Sequence, residues 1–158
     1  FDDNGSRFDA NGNMRNWWTD EDHKKFKEKT QALAEQYNGY EVLPGKFARG
    51  DLSLGENIAD NAGLAVSYKA YQLSLGGKPA PVIDGYTGDQ RFFMGWAQGW
   101  RAKEREEYLI ERLKTGPHAP NKVRGNGAVV NQDAFFDSFD IQEGDKMYVA
   151  PEKRVKIW

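Results

Sequence analysis

Apolar positions recur at helical spacing in three long stretches, separated by segments rich in glycine, proline and asparagine. The first stretch opens at Thr19, whose hydroxyl precedes Asp20, Glu21 and Asp22. A capping side chain followed by acids in the first turn starts a helix. Phe26, Leu33, Ala34 and Tyr37 then share one face above a charged exterior, and Asn38-Gly39 ends the element. The second helix is predicted over 54–75, with Ile58, Ala59, Ala62, Leu64, Ala65, Tyr68, Ala70 and Tyr71 inside and Gly76-Gly77 as its stop. Small residues at 59, 62, 63 and 65 allow close backbone packing there. The third is predicted from Asp89 to about Arg112, opened by Thr87 and Gln90 placed as a capping box. It begins aromatic, with Phe92, Phe93, Trp96 and Trp100, and ends in charges over 103–107. A short helix is predicted over 132–139. Residues 40–53 read as irregular, 78–86 as a connector with Pro79 and Pro81, 117–120 as a proline-bracketed loop, and 147–158 as extended or irregular. Asp3-Asn4-Gly5 and Asn11-Gly12-Asn13 carry turn chemistry. The pattern predicts a mainly α chain without internal repeats.

Composition narrows the function classes. With 158 residues the length prior is one domain. Lys and Arg number 22 against 24 Asp and Glu, a net charge of −2 that leaves no electrostatic footprint for nucleic acid or an anionic membrane. Aromatic residues make up 13% of the chain, too many for a disordered segment. No stretch approaches the ~20 apolar residues of a membrane-spanning helix. Cysteine is absent, which excludes a disulfide scaffold, a thiol nucleophile and a cysteine-based zinc site. The opening Phe1-Asp2-Asp3-Asn4-Gly5 has no initiator Met and no signal-peptide features, and reads as the interior of a longer polypeptide.

Three groups of residues are candidates for chemistry. Asp9-Ala10-Asn11-Gly12-Asn13 alternates oxygen side chains, but its glycine is misplaced and no Glu closes a twelve-residue loop, so it reads as tight turns rather than a calcium site. Glu56 and Asp60, four apart, project from one helical face. An exposed acidic pair and an inward-facing pair held by a cation both satisfy that spacing; Gly63 and Leu64 on the same face favour burial, where a carboxylate requires a partner. His118 stands in the proline loop with Arg124 six residues on. It reads either as a loop histidine without a role or as a donor to a developing oxyanion, with Arg124 as a carbonyl clamp. His23, between Asp22 and Lys24, reads as a solvated surface residue. The chain contains no H-E-x-x-H, G-x-S-x-G, phosphate-binding loop or dinucleotide fingerprint, and so no complete active site.

These segments, taken in order, resemble the C-terminal part of the neprilysin-like zinc endopeptidases, a family that includes the endothelin-converting enzymes and bacterial oligopeptidases. Phe1-Asp2-Asp3-Asn4-Gly5 with Phe8-Asp9 resembles the segment after the family's H-E-x-x-H-G. Asp9-Ala10-Asn11-Gly12-Asn13 runs on to Trp17-Trp18-Thr19 as in the family. Leu54-Gly55-Glu56-Asn57-Ile58-Ala59-Asp60 resembles its E-N-x-A-D signature, Phe93 to Trp100 its aromatic helix, Pro117-His118-Ala119-Pro120 with Arg124 its substrate loop, and 151–158 its C-terminus.

The resemblance implies a C-terminal portion, residues 1–158, of a single zincin-type (thermolysin-like) catalytic domain, incomplete without an upstream zinc helix. Glu56 would be the third zinc ligand. Asp60, and Asp2 beside the other histidine, would orient the two ligand histidines by accepting the N–H that faces away from the metal. His118 would stabilise the tetrahedral oxyanion, Arg124 would hold the substrate backbone, and Trp100 with Val123 would line the pocket for a bulky apolar residue at whose amino side the peptide is cut. Zn2+ would take its remaining ligands from outside this chain. The implied partners are peptide substrates and the N-terminal remainder of the same precursor as a companion chain; the implied location is secreted, periplasmic or cell-surface. Arg101 stands where vertebrate members carry a cysteine, and Gly99 where a larger pocket residue is common. Two alternatives remain: a non-catalytic peptide- or partner-binding module on the same fold, and a calcium-stabilised domain built on the Asp/Asn turns.

Overall fold

The computed structural model describes residues 3–158. Asp2 therefore lies outside the described residues. The elements run α1 (Asp20–Asn38), a hairpin of β1 (Glu41–Leu43) and β2 (Lys46–Phe47), α2 (Leu54–Ser74), α3 (Gly88–Gly99), α4 (Glu106–Thr115), α5 (Asn121–Gly127) and α6 (Asp133–Phe139), with 3-10 turns before α1, between α5 and α6, and after α6. The chain is mainly helical, as its periodicity predicts. Among the described residues no helix is long and apolar enough to cross a membrane.

The helix boundaries follow their local chemistry. Thr19 accepts a hydrogen bond from the Asp22 amide at the start of α1. Both halves of the Thr87–Gln90 capping box form ahead of α3. Gly76 and Gly77 stop α2 with φ of +58° and +76°, a region that suits glycine.

Two compact units emerge. The first comprises the described residues through Ala59, Glu104–Pro120 and Ile157–Trp158. Leu33, Ala34 and Tyr37 of α1 are buried in it, with Ala48, Ile58, Ala119 and Ile157. Gly50 passes so close to α1 that a Cβ there would stand 2.0 Å from the Ala34 carbonyl oxygen, and its amide donates to Asn38 Oδ1 at 2.7 Å. At the far end of α1, Trp18 meets Phe26 and Trp158 edge-on, and Lys29 Nζ donates to the Ile157 carbonyl.

The second unit comprises Asp60–Lys103 and Asn121–Lys156. Leu64, Phe93, Ala128, Val129, Val130, Phe135 and Phe136 form its core, flanked by Tyr68, Phe92 and Trp96. Phe93 stacks on Tyr68 and meets Phe135 edge-on, so the aromatic start of α3 is the centre of this core. Buried Asn131 donates to Asn61 Oδ1 and accepts from the Val155 amide, which ties the C-terminal segment to α2.

Four expectations are corrected. The single helix from Asp89 to Arg112 is two helices. Trp100 and Arg101 turn their amides back to Ala97 and Gln98, which ends α3, and 101–105 offers only Ala102 to an apolar stripe. The chain restarts as α4 in the other unit. The buried face of α2 includes Asn57, Asp60 and Asn61 with Ile58 and Leu64, whereas Ala59, Ala65 and Ala70 are exposed. Gly63 has open space around it, so the small-residue positions do not mark a close helix contact. Residues 40–53 hold the β1–β2 hairpin, pairing Glu41 with Phe47 and Leu43 with Lys46. His23 is half-buried: it packs beside Trp18 and contacts Asn16 Oδ1 at 2.5 Å.

Candidate active site

The sequence-predicted site residues fall into two groups, one in each unit. In the first, α2 begins at Leu54 after Ser53, whose hydroxyl donates to the Arg49 carbonyl and accepts from Asn57 Nδ2 at 3.0 Å. This fixes the first turn of α2, on which Glu56 stands. His118 Nε2 lies 3.1 Å from Glu56 Oε2, and both side chains keep just over two-fifths of their surface exposed. With the proton on Nε2 the imidazole donates to the carboxylate. The loop histidine and the helix acid, 62 positions apart by their numbers, are thus brought together.

Asp3 also reaches this turn. Its Oδ1 stands 2.6 Å from where a Cβ on Gly55 would be. Sequence reasoning singled out Asp2 and missed Asp3. The available signal was Gly55 itself, a glycine inside a helix that no turn requires.

In the second unit Asp60 is only 8% exposed, and Arg124 on α5 grips it with two parallel bonds, Nε to Oδ2 and Nη2 to Oδ1, both 2.7 Å. Trp100 lies under the guanidinium, 4.0 Å from ring centre to Cζ. α5 packs beside that ring at Gly125, where a Cβ would meet Trp100 Cβ at an ordinary contact distance of 3.4 Å, and the Trp96 indole N–H donates to the Gly125 carbonyl at 3.2 Å. Val123 is 4% exposed. It packs inward and offers no open wall within its unit.

The arrangement relieves the repulsion between acids one helical turn apart, because Asp60 is paired with Arg124 and Glu56 faces His118. The donor chemistry fits a hard or borderline cation at Glu56: a carboxylate, accessible, on a fixed helical turn. It does not hold one alone. Among the described residues no group of three or more His, Cys, Asp or Glu side chains is placed to bind a metal ion. Asp60 retains acceptor capacity beyond the Arg124 fork, since a carboxylate offers about four lone-pair positions. The Asp9 turn spends its carboxylate internally, on the amides of Asn11 and Asn13.

The sequence description of peptidase family M13 matches residues 1–155. The chain belongs to peptidase family M13. A neutral endopeptidase of Lactococcus lactis subsp. cremoris is 40% identical over all 158 residues, which span 23% of that relative. Human membrane metallo-endopeptidase-like 1 is 39% identical over 164 aligned residues, 21% of its length. The zinc metalloprotease ZMP1 of Mycobacterium tuberculosis, in complex with an inhibitor, superposes with a TM-score of 0.95 at 49% identity, covering the whole chain and 25% of that protein. The chain spans about a quarter of the length of these M13 relatives.

Proposed function

We propose that this chain contributes one metal ligand and the oxyanion-binding loop to the centre of a zinc-dependent endopeptidase. The observation that carries this reading is the meeting of His118 with Glu56 on the first turn of α2, in a chain of a peptidase family.

Glu56 would supply its carboxylate to zinc. Two histidines, from a segment outside these residues that carries H-E-x-x-H, complete a His₂Glu site. Zinc bound there supplies Lewis acidity that brings a water molecule toward ionisation near neutral pH. Asp60 accepts the outward N–H of a ligand histidine and fixes its ring, while Arg124 keeps the Asp60 carboxylate oriented. Asp2 does the same for the second histidine. His118 donates its Nε2 proton to the oxygen on which charge develops as the peptide carbonyl becomes tetrahedral; its position beside the ligand carboxylate supports this role. Arg124, held by its two bonds to Asp60, is the residue assigned to the substrate backbone. Trp100 contributes to the pocket for a bulky apolar side chain, with cleavage on the amino side of that residue, and Val123, buried in its unit, would shape that pocket from behind rather than line it. The N-terminal remainder of the same polypeptide is the partner that completes the site.

The test is the kinetics of His118→Ala in the complete polypeptide. Loss of a transition-state donor lowers kcat by about 10²–10³ and leaves KM within a small factor. A change confined to KM removes the assigned role. Peptide binding without any cleavage by the unaltered protein would favour the non-catalytic module instead.

A further inference from the structure

The loop that carries His118 has few backbone donors of its own. Pro117 and Pro120 lack an N–H, which removes two of its backbone donors. Its anchor comes from the last turn of α4. Arg112 donates through Nη1 to Glu104 Oε1 at 2.8 Å and through Nη2 to the Ala119 carbonyl at 3.3 Å. The Arg112 and Glu104 side chains are 19% and 16% exposed, and Ala119 is 2% exposed, so the group is shielded from water. A charge-assisted contact there outweighs a surface ion pair. The backbone follows the same path: the Gly116 amide donates to the Arg112 carbonyl at 2.8 Å, and a Cβ on Gly116 would stand 2.7 Å from that oxygen. Glycine is what lets the chain leave α4 so sharply.

We propose that Arg112, clamped by Glu104, is the positioning residue of the His118 loop and sets the imidazole against Glu56. This rests on the reading of His118 as an oxyanion donor for its catalytic consequence, but not for the mechanical claim. Glu104 holds the guanidinium in one orientation. The second arm of the fork then fixes the carbonyl next to His118, and with it the direction from which the imidazole approaches. Nothing in this arrangement requires Arg112 to touch substrate.

The experiment compares the complete polypeptide with Arg112→Gln and with the charge swap Glu104→Arg/Arg112→Glu. The swap can restore an ion pair, but a carboxylate at 112 cannot donate to the Ala119 carbonyl. Two readouts are taken: amide hydrogen exchange at Gly116, His118 and Ala119, and kcat against KM. Exchange in α1 reports that each variant is folded. The clamp predicts loop exchange about 10-fold faster and kcat about 10-fold lower, with KM within about 3-fold, since small misplacements of a catalytic group are costly. The swap recovers neither. Unchanged loop exchange in Arg112→Gln, or recovery of both readouts by the swap, overturns the proposal. A looser loop with unchanged kcat, or an unaltered protein that cleaves no peptide, counts against the peptidase reading while the exchange data still decide the clamp.

Discussion

At the scale of single residues, each acid on α2 is matched by a partner far along the chain. The spacing of Glu56 and Asp60 was legible as one helical face, and the question it raised, what relieves two like charges, was legible too. The partners were not. Arg124 lies 64 positions from Asp60 and His118 lies 62 from Glu56, and no local pattern encodes such pairings. Breaking a pair as buried as Asp60–Arg124 from one side costs about 3–5 kcal/mol, because a charge is left in a poorly solvated place. A milder residue-scale effect belongs to Tyr40. Burial pushes its phenol from 10.0 up to about 12. The fold therefore holds the neutral form more tightly than the unfolded chain does. Its contribution is complete below pH 10 and is lost as pH rises toward about 12. Urea unfolding at several alkaline pH values should show a smaller decline in stability for Tyr40→Phe than for the unaltered protein. Parallel declines would show that Tyr40 does not titrate as its burial implies.

At the scale of elements, the sequence reported its helix ends well and its helix interiors less well. Thr19, the Thr87–Gln90 box and Gly76-Gly77 act through contacts within four residues, so local reading suffices. The break after Trp100 depends on where that ring packs, over Arg124, and on α4 folding into a different unit. Helix propensity alone would have continued through the charged run. The polar face of α2 was legible only in part: Leu64 pointed to burial of Asp60, whereas Asn57 and Asn61 gave no such signal, and their partners Ser53 and Asn131 come from the fold. The β1–β2 hairpin is two to three residues per strand, too short for an alternation to register. Gly50 belongs to this scale as well. It has no positive φ to betray it, yet the approach to Ala34 leaves no room for a Cβ. Gly50→Ala should cost about 1–3 kcal/mol or more by overpacking. Denaturant unfolding with a midpoint unchanged from the unaltered protein would contradict so tight a contact.

At the scale of the whole molecule, 158 residues form two compact units, each with its own buried residues and its own half of the predicted site chemistry. Membership of peptidase family M13 places the chain among proteins about four times its length. A charge near zero and a missing H-E-x-x-H are properties of the sequence as a whole and were read without any fold. The cation of the proposed centre was legible only by resemblance, since a single carboxylate at a helix start carries no metal signature of its own. The measurement that bears most directly on the account is the zinc content of the complete polypeptide, by elemental analysis, for the unaltered protein and for Glu56→Gln with matched circular dichroism. The account predicts one zinc per polypeptide in the first and a large loss in the second, because the amide is a far weaker ligand than the carboxylate. Full zinc occupancy in folded Glu56→Gln would contradict it.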